Sequence, residues 1–132
     1  RCCYPAILLG ESYTAQDGSI IPNNRLTKPG RIPRRYAYCS DTEYFPNLIE
    51  QVRGVDLLYH EATFGEDLRA RLATTAHSTA REAATIALKA EVKRLLIGHY
   101  SSRYTDVTPL LDEARSVFPN TTAAQEGLII HL

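Results

Sequence analysis

Leu57-Leu58-Tyr59-His60-Glu61-Ala62-Thr63 is the stretch on which the fold turns. A short apolar run of strand length ends in a knot of residues able to carry protons or bind a metal. The same arrangement recurs twice. Tyr36-Ala37-Tyr38-Cys39 runs into Ser40-Asp41-Thr42, and Leu95-Leu96-Ile97 runs into Gly98-His99-Tyr100-Ser101-Ser102-Arg103-Tyr104. An amphipathic helical pattern follows each. Strand and helix in alternation argue for α/β layering. Open α/β sheets form their sites beyond the carboxyl ends of the strands, so three polar tips lie along one rim.

Working outward, strands are expected over residues 36–41, 56–63 and 94–99. Phe45, Leu48, Ile49 and Val52 mark the first helix, which Gly54 closes. Residues 64–76 read as a loop or a loose helix. Thr79-Ala80-Arg81-Glu82 fits a capping box, and Ala80, Ala83, Ala84, Ala87 and Leu88 form a small-residue stripe that lets the second helix lie close to a sheet. Thr108-Pro109 reads as N-cap and first helical position. Leu110, Leu111, Ala114, Val117 and Phe118 make the buried face of that third helix, and Pro119 ends it. Thr121–Ala124 and Leu128–Leu132 read as a terminal hairpin joined near Glu126-Gly127.

Residues 1–35 are irregular and hold Pro5, Pro22, Pro29 and Pro33 with Gly10, Gly18 and Gly30, out of seven prolines and seven glycines in all. Asp17-Gly18 between Tyr13-Thr14 and Ile20-Ile21 is a hairpin signal. The expected organisation is a loop and hairpin region over 1–35 leading into an α/β region over 36–132.

With 132 residues the chain is one domain or part of one. Fifteen basic residues balance fifteen acidic ones, so no global field recruits nucleic acid. Local clusters, Arg31 with Arg34 and Arg35, and Lys89 with Lys93 and Arg94, read as solvated faces rather than phosphate cradles. The three cysteines suit neither a zinc knuckle nor a simple disulfide framework: Cys2 and Cys3 are adjacent, and Cys39 sits in an apolar strand as a small core residue. That usage fits a reducing, cytoplasmic setting. No apolar stretch approaches the roughly 20 residues of a membrane span, and no signal peptide is visible. The chain opens on Arg1, and its first residues read like the middle of a longer polypeptide.

Five polar positions stand out. Asp41 at a strand tip is either a helix N-cap or a metal ligand, and a carboxylate can bridge two cations. His99 is either a loop histidine or a second ligand at the neighbouring tip, with Gly98 allowing close backbone approach. His60 and Glu61 are adjacent in a strand and point to opposite faces, so only one of them looks easily into a site. His77 precedes a helix N-terminus, where it is either a turn residue or a group beside a phosphate, able to deliver a proton to a leaving oxygen. A catalytic zinc needs three protein ligands and a water, and the chain contains no HxH motif, no HxxxH on one helix face and no cysteine pair to complete the set.

These residues together carry a resemblance. Tyr38-Cys39-Ser40-Asp41-Thr42, His60-Glu61-Ala62-Thr63, His77-Ser78-Thr79-Ala80 and Gly98-His99-Tyr100-Ser101-Ser102-Arg103-Tyr104, in that order, resemble the C-terminal half of the ribonuclease Z family, tRNA 3′-processing endonucleases of the metallo-β-lactamase fold. The ending, Phe118-Pro119-Asn120 through Glu126-Gly127-Leu128, also fits. The resemblance implies the second half of an αβ/βα sandwich with two zinc ions at one edge of its sheets. It implies Asp41 as the carboxylate bridging both ions and His99 as a terminal ligand. It places His77 beside the scissile phosphate, with Glu61 orienting it and assisting proton transfer. Ser101, Ser102 and Arg103 line the same edge as substrate-binding residues.

The resemblance further implies zinc-dependent removal of the 3′ trailer from precursor tRNA by two-metal phosphodiester hydrolysis, and a homodimer. The family's HxHxDH motif is absent from these 132 residues, so the expected partner is an N-terminal half that carries it, and the isolated chain is expected to be inactive. The alternatives are another metallo-β-lactamase-fold hydrolase and a half-domain with a structural or dimerising role.

Overall fold

A computed structural model describes residues 3–132, apart from the side chains of residues 73 and 74. Cys2 lies outside the described residues. The chain divides into two compact units, Arg1–Pro33 and Arg34–Leu132.

The first unit holds a short helix α1 (Tyr4–Leu8), strands β1 (Tyr13–Thr14) and β2 (Ile20–Ile21), and a one-turn helix α2 (Asn23–Leu26). The two strands pair antiparallel, Tyr13 opposite Ile21 and Thr14 opposite Ile20. Gly18 turns the chain at φ +82°, and Asp17 Oδ1 accepts the Ser19 N–H at 3.0 Å and its hydroxyl at 2.7 Å. That is the chemistry expected of an Asp-Gly turn. The two helices were not expected. Asn23 ties them together by donating its amide to the Ile7 and Glu11 carbonyls, at 2.7 and 2.9 Å. No described residue of this unit is buried.

The second unit is built on four parallel strands, β3 (Tyr36–Cys39), β4 (Leu57–Glu61), β5 (Leu95–Gly98) and β6 (Thr121–Ala123), in the order β3-β4-β5-β6. Spatial order follows chain order. Right-handed crossovers then put every connecting helix on one face. These are α3 (Leu48–Gln51), a 3₁₀ stretch (Glu66–Thr74) running on to α4 (Ala80–Lys89), and α5 (Thr108–Val117). Helix α4 is central, packing on α3, α5, β4 and β5. The expected capping box starts it: Thr79 Oγ1 accepts the Glu82 N–H at 3.1 Å, and Glu82 Oε2 accepts the Thr79 N–H at 3.0 Å. Its alanines let it sit close to the sheet, over a core of Leu58, Ala62, Leu95 and Ile97 with Leu110 and Ala114 from α5.

Several expectations are corrected in detail. The terminal hairpin does not form: β6 pairs parallel with β5, and residues 128–132 make no strand. Leu128 and Ile129 are exposed, and an apolar run becomes a strand only where a ladder partner and a surface receive it. Helix α3 starts at Leu48 rather than Phe45, because residues 45–47 form a turn through Pro46. On α4 the buried stripe runs through Ala83 and Ala87 to Ile86 and Ala90, leaving Leu88 in solvent.

His60 faces the helices, fully buried beside Leu58 and Ala62. Its Nδ1 lies 2.8 Å from the Glu61 carbonyl, which only accepts, so Nδ1 carries the proton. Nε2 is buried with no partner. Burial therefore pushes its pKa below the usual imidazole value, because a second proton would place an unpaired charge in the core. A histidine whose folded pKa is depressed binds more protons unfolded. Its contribution to stability is present above about pH 6.5 and is lost as pH falls from there towards the folded value. The urea midpoint is expected to drop between pH 7 and pH 5, with a shallower drop in His60→Gln. Equal slopes would remove His60 as the cause.

Candidate active site

Three strand tips and one helix entry build the site. Asp41 follows β3 with φ +51° and His99 follows β5 with φ +58°. Non-glycine residues seldom adopt this left-handed conformation, and such strain gathers at functional sites. It re-aims both side chains across the rim, leaving His99 Nε2 3.5 Å from Asp41 Oδ1. The geometry excludes the helix-cap reading of Asp41, since α3 begins only at Leu48, with Asn47 before it.

Glu61 ends β4 and points into the rim, opposite His60 as strand alternation requires. Its carboxyl group is fully buried yet richly paired. Oε1 accepts the Thr42 N–H at 2.6 Å, and Oε2 accepts the Thr63 hydroxyl at 2.6 Å and the Ser78 N–H at 3.2 Å. His77 Nδ1 lies 3.1 and 3.0 Å from the two oxygens. A carboxylate only accepts, so Nδ1 of His77 is the donor and Nε2 is turned away from Glu61.

His77 is held from several sides. Ala76 before it is left-handed, at φ +50°. Phe64 bridges to Thr79 in parallel pairing, and Ser78 Oγ donates to the Thr42 carbonyl at 2.7 Å. The His77 ring meets that of His99 at 5.2 Å between centroids. Asp41, His77 and His99 each offer one ligand atom, all within 4.8 Å of one another. One carboxylate and two imidazoles suit a divalent metal ion, and a 3.5 Å spacing suits two ligands each roughly 2.0–2.2 Å from a shared ion.

Ser101, Ser102 and Arg103 lie on the same rim. The Ser101 N–H donates to the Thr63 carbonyl at 3.1 Å, and the Tyr104 N–H to the Ser101 carbonyl at 3.0 Å. Ser102 and Arg103 are exposed. Tyr104 Oη accepts the Gly65 N–H at 2.9 Å and donates to Asp67 Oδ1 at 3.0 Å, anchoring this turn to the 3₁₀ stretch. The neighbouring Tyr100 hydroxyl donates to the Ile97 carbonyl at 2.6 Å, and burial pushes its pKa up to about 12.

Residues missed by sequence reasoning are the partners of Glu61. Thr63 was part of a motif without a role, although its place two residues beyond Glu61 puts it on the same strand face. Thr42 and Ser78 act through backbone N–H groups, for which no side-chain pattern exists. A cleft of about 260 Å³ beside His77, lined by Glu43, Tyr44, Arg69, Leu72 and Glu82, was also invisible in one dimension.

Known proteins resemble this chain in sequence and fold. The family described as the β-lactamase superfamily domain matches residues 22–100. The chain belongs to the β-lactamase superfamily. Within it, a solved metallo-β-lactamase-fold protein, YhfI from Bacillus subtilis, superposes with a TM-score of 0.64 at 28% identity, over 69% of this chain and 37% of its own. A curated relative named ribonuclease Z from Porphyromonas gingivalis is 62% identical over 98% of this chain, and one of the same name from Phocaeicola vulgatus is 57% identical over 93%. The chain spans 42% and 40% of the lengths of these two relatives.

Gly98, at the end of β5, leaves room for the Tyr59 ring. A Cβ there meets the Tyr59 ring, 2.8 Å from Cε2, and that ring is stacked on Tyr38 at 4.5 Å. Gly98→Ala is expected to destabilise the protein by about 1–3 kcal/mol and to change the near-ultraviolet dichroism of the tyrosine stack. An unchanged urea midpoint and spectrum would show that the ring moves freely.

Proposed function

We propose that residues 36–132 are the C-terminal half of a ribonuclease Z-type domain, with 1–35 as the segment leading into it. The full-length protein, on this reading, is a zinc-dependent endoribonuclease that removes the 3′ trailer from precursor tRNA. The observation that carries the proposal is the convergence of Asp41, His77 and His99 on one rim with Glu61 buried behind them. The 62% identity to the Porphyromonas gingivalis relative supports the choice of substrate.

Asp41 and His99 are the residues that hold metal, and an N-terminal half bearing the HxHxDH motif supplies the remaining ligands. The exposed rings of Tyr36 and Tyr38, on the sheet face opposite the helices, offer the surface such a half would cover. A dimeric, cytoplasmic enzyme fits the same reading.

Zinc bound here supplies Lewis-acid polarisation of the phosphate and an activated water near neutral pH. The chain's own residues do the rest. Asp41, whose carboxyl oxygen lies 3.5 Å from His99 Nε2, would hold the metal at the rim together with His99. Glu61 fixes the His77 ring by accepting from Nδ1, and the imidazolium form, protonated on both nitrogens, would hand its Nε2 proton to the departing 3′ oxygen and be left as the neutral Nδ1–H ring. Removing that proton donor costs typically 10²–10⁴-fold. Ser101, Ser102 and Arg103 offer hydroxyls and a guanidinium to the RNA backbone along the same edge.

In the full-length protein, Asp41→Ala is expected to abolish cleavage of a 3′-extended precursor tRNA and to lower zinc content. Near-normal turnover by that variant would overturn the bridging role. His77→Ala is expected to slow turnover by about 10²–10⁴-fold while zinc remains bound. Zinc loss in that variant would make His77 a ligand instead. Cleavage of small phosphodiesters with none of the precursor tRNA would replace the substrate assignment with another hydrolase of the superfamily.

A further inference from the structure

Thr63 lies two residues beyond β4 and is 6% exposed. Its Oγ1 is 2.6 Å from Glu61 Oε2, 3.0 Å from His99 Nδ1 and 2.9 Å from the His99 carbonyl oxygen. A threonine hydroxyl has one proton and two lone pairs. Glu61 already accepts N–H groups from Thr42, His77 and Ser78, so it acts as an acceptor towards Thr63. The 2.6 Å separation is that of a hydroxyl donating to a carboxylate. The His99 carbonyl likewise only accepts, so at 2.9 Å it shares the one hydroxyl proton with Glu61. If the Thr63 proton went to His99 Nδ1, two acceptor oxygens would face each other at 2.6 Å in a buried place. The Nδ1 contact therefore takes its proton from the imidazole.

We propose that Thr63 is a positioning residue that holds His99 in its Nδ1–H tautomer and so presents the Nε2 lone pair towards Asp41. The main chain reinforces it, because the Ser101 N–H donates to the Thr63 carbonyl at 3.1 Å and closes the turn around the left-handed His99. Glu61 thereby sets both histidines. It fixes His77 directly and His99 through the Thr63 hydroxyl, and in each ring Nδ1 is the nitrogen held. Second-shell partners of this kind orient a ligating imidazole and fix its tautomer. The consequence for metal affinity rests on the metal-centre reading above, whereas the tautomer does not.

The test uses the full-length protein, stripped of metal, ¹⁵N-labelled at histidine and held at a pH where imidazole is neutral. Long-range ¹H–¹⁵N spectra distinguish the two tautomers. His99 is expected as Nδ1–H in the wild type, shifted towards Nε2–H in Thr63→Val and restored in Thr63→Ser. Competition with a chromophoric chelator is expected to show zinc held about 10- to 100-fold more weakly by Thr63→Val and near wild-type strength by Thr63→Ser. An Nε2–H tautomer in the wild type overturns the proposal whether or not the valine variant folds. So does a valine variant with unchanged tautomer and zinc affinity. Unchanged zinc affinity in Asp41→Ala would instead overturn the metal-centre reading, and the spectra would still decide the role of Thr63.

Discussion

The buried carboxylate of Glu61 is the constraint around which the rim is organised. A carboxylate out of water is costly unless hydrogen bonds replace its hydration. Here the donors come from Thr42 after β3, Thr63 after β4, and His77 and Ser78 before α4. These donors come from three segments that are far apart in sequence. Satisfying the charge therefore draws these turns together, and the candidate site residues come with them. His99 joins through Thr63, and Asp41 through its neighbour Thr42.

The turns obey this demand at a local cost. Asp41, Ala76 and His99 all take left-handed backbone, and none is glycine. Such conformations persist where the surroundings over-determine them, and here the surroundings are closely bonded and packed. The capping box fixes the start of α4, Phe64 pairs with Thr79, and the Tyr59 ring fills the space a side chain at Gly98 would need. A rim built this way holds its imidazoles in set orientations before any ligand arrives, which is what positioning chemistry requires. The alanine-rich face of α4 contributes by letting that helix approach the sheet and deliver His77 to the strand tips.

Much of this could be read in one dimension. Periodicity and turn residues located every strand of the parallel sheet, the α4 capping box and the Asp17-Gly18 hairpin, because these depend on side chains close in sequence. Errors fell where a partner decides the outcome. Leu128–Leu132 has strand composition but no ladder to join. Leu88 lies near an apolar stripe, yet the seating of α4 buries Ile86 in its place. His60 and Glu61 could not be told apart by sequence beyond their opposition.

By itself, the sequence determined that strand, polar tip and helix repeat, and it singled out Asp41, Glu61, His77 and His99 as candidate groups by residue type. Residue type and local spacing carry that information. Tertiary structure alone decided which way each side chain faces, that Thr63 and two backbone N–H groups complete the set around Glu61, and that Asp41, His77 and His99 meet within 4.8 Å. Those facts depend on strand register and on left-handed turns. Both are settled by packing between segments far apart in the chain, where hydrogen-bond demand rather than residue pattern selects the geometry.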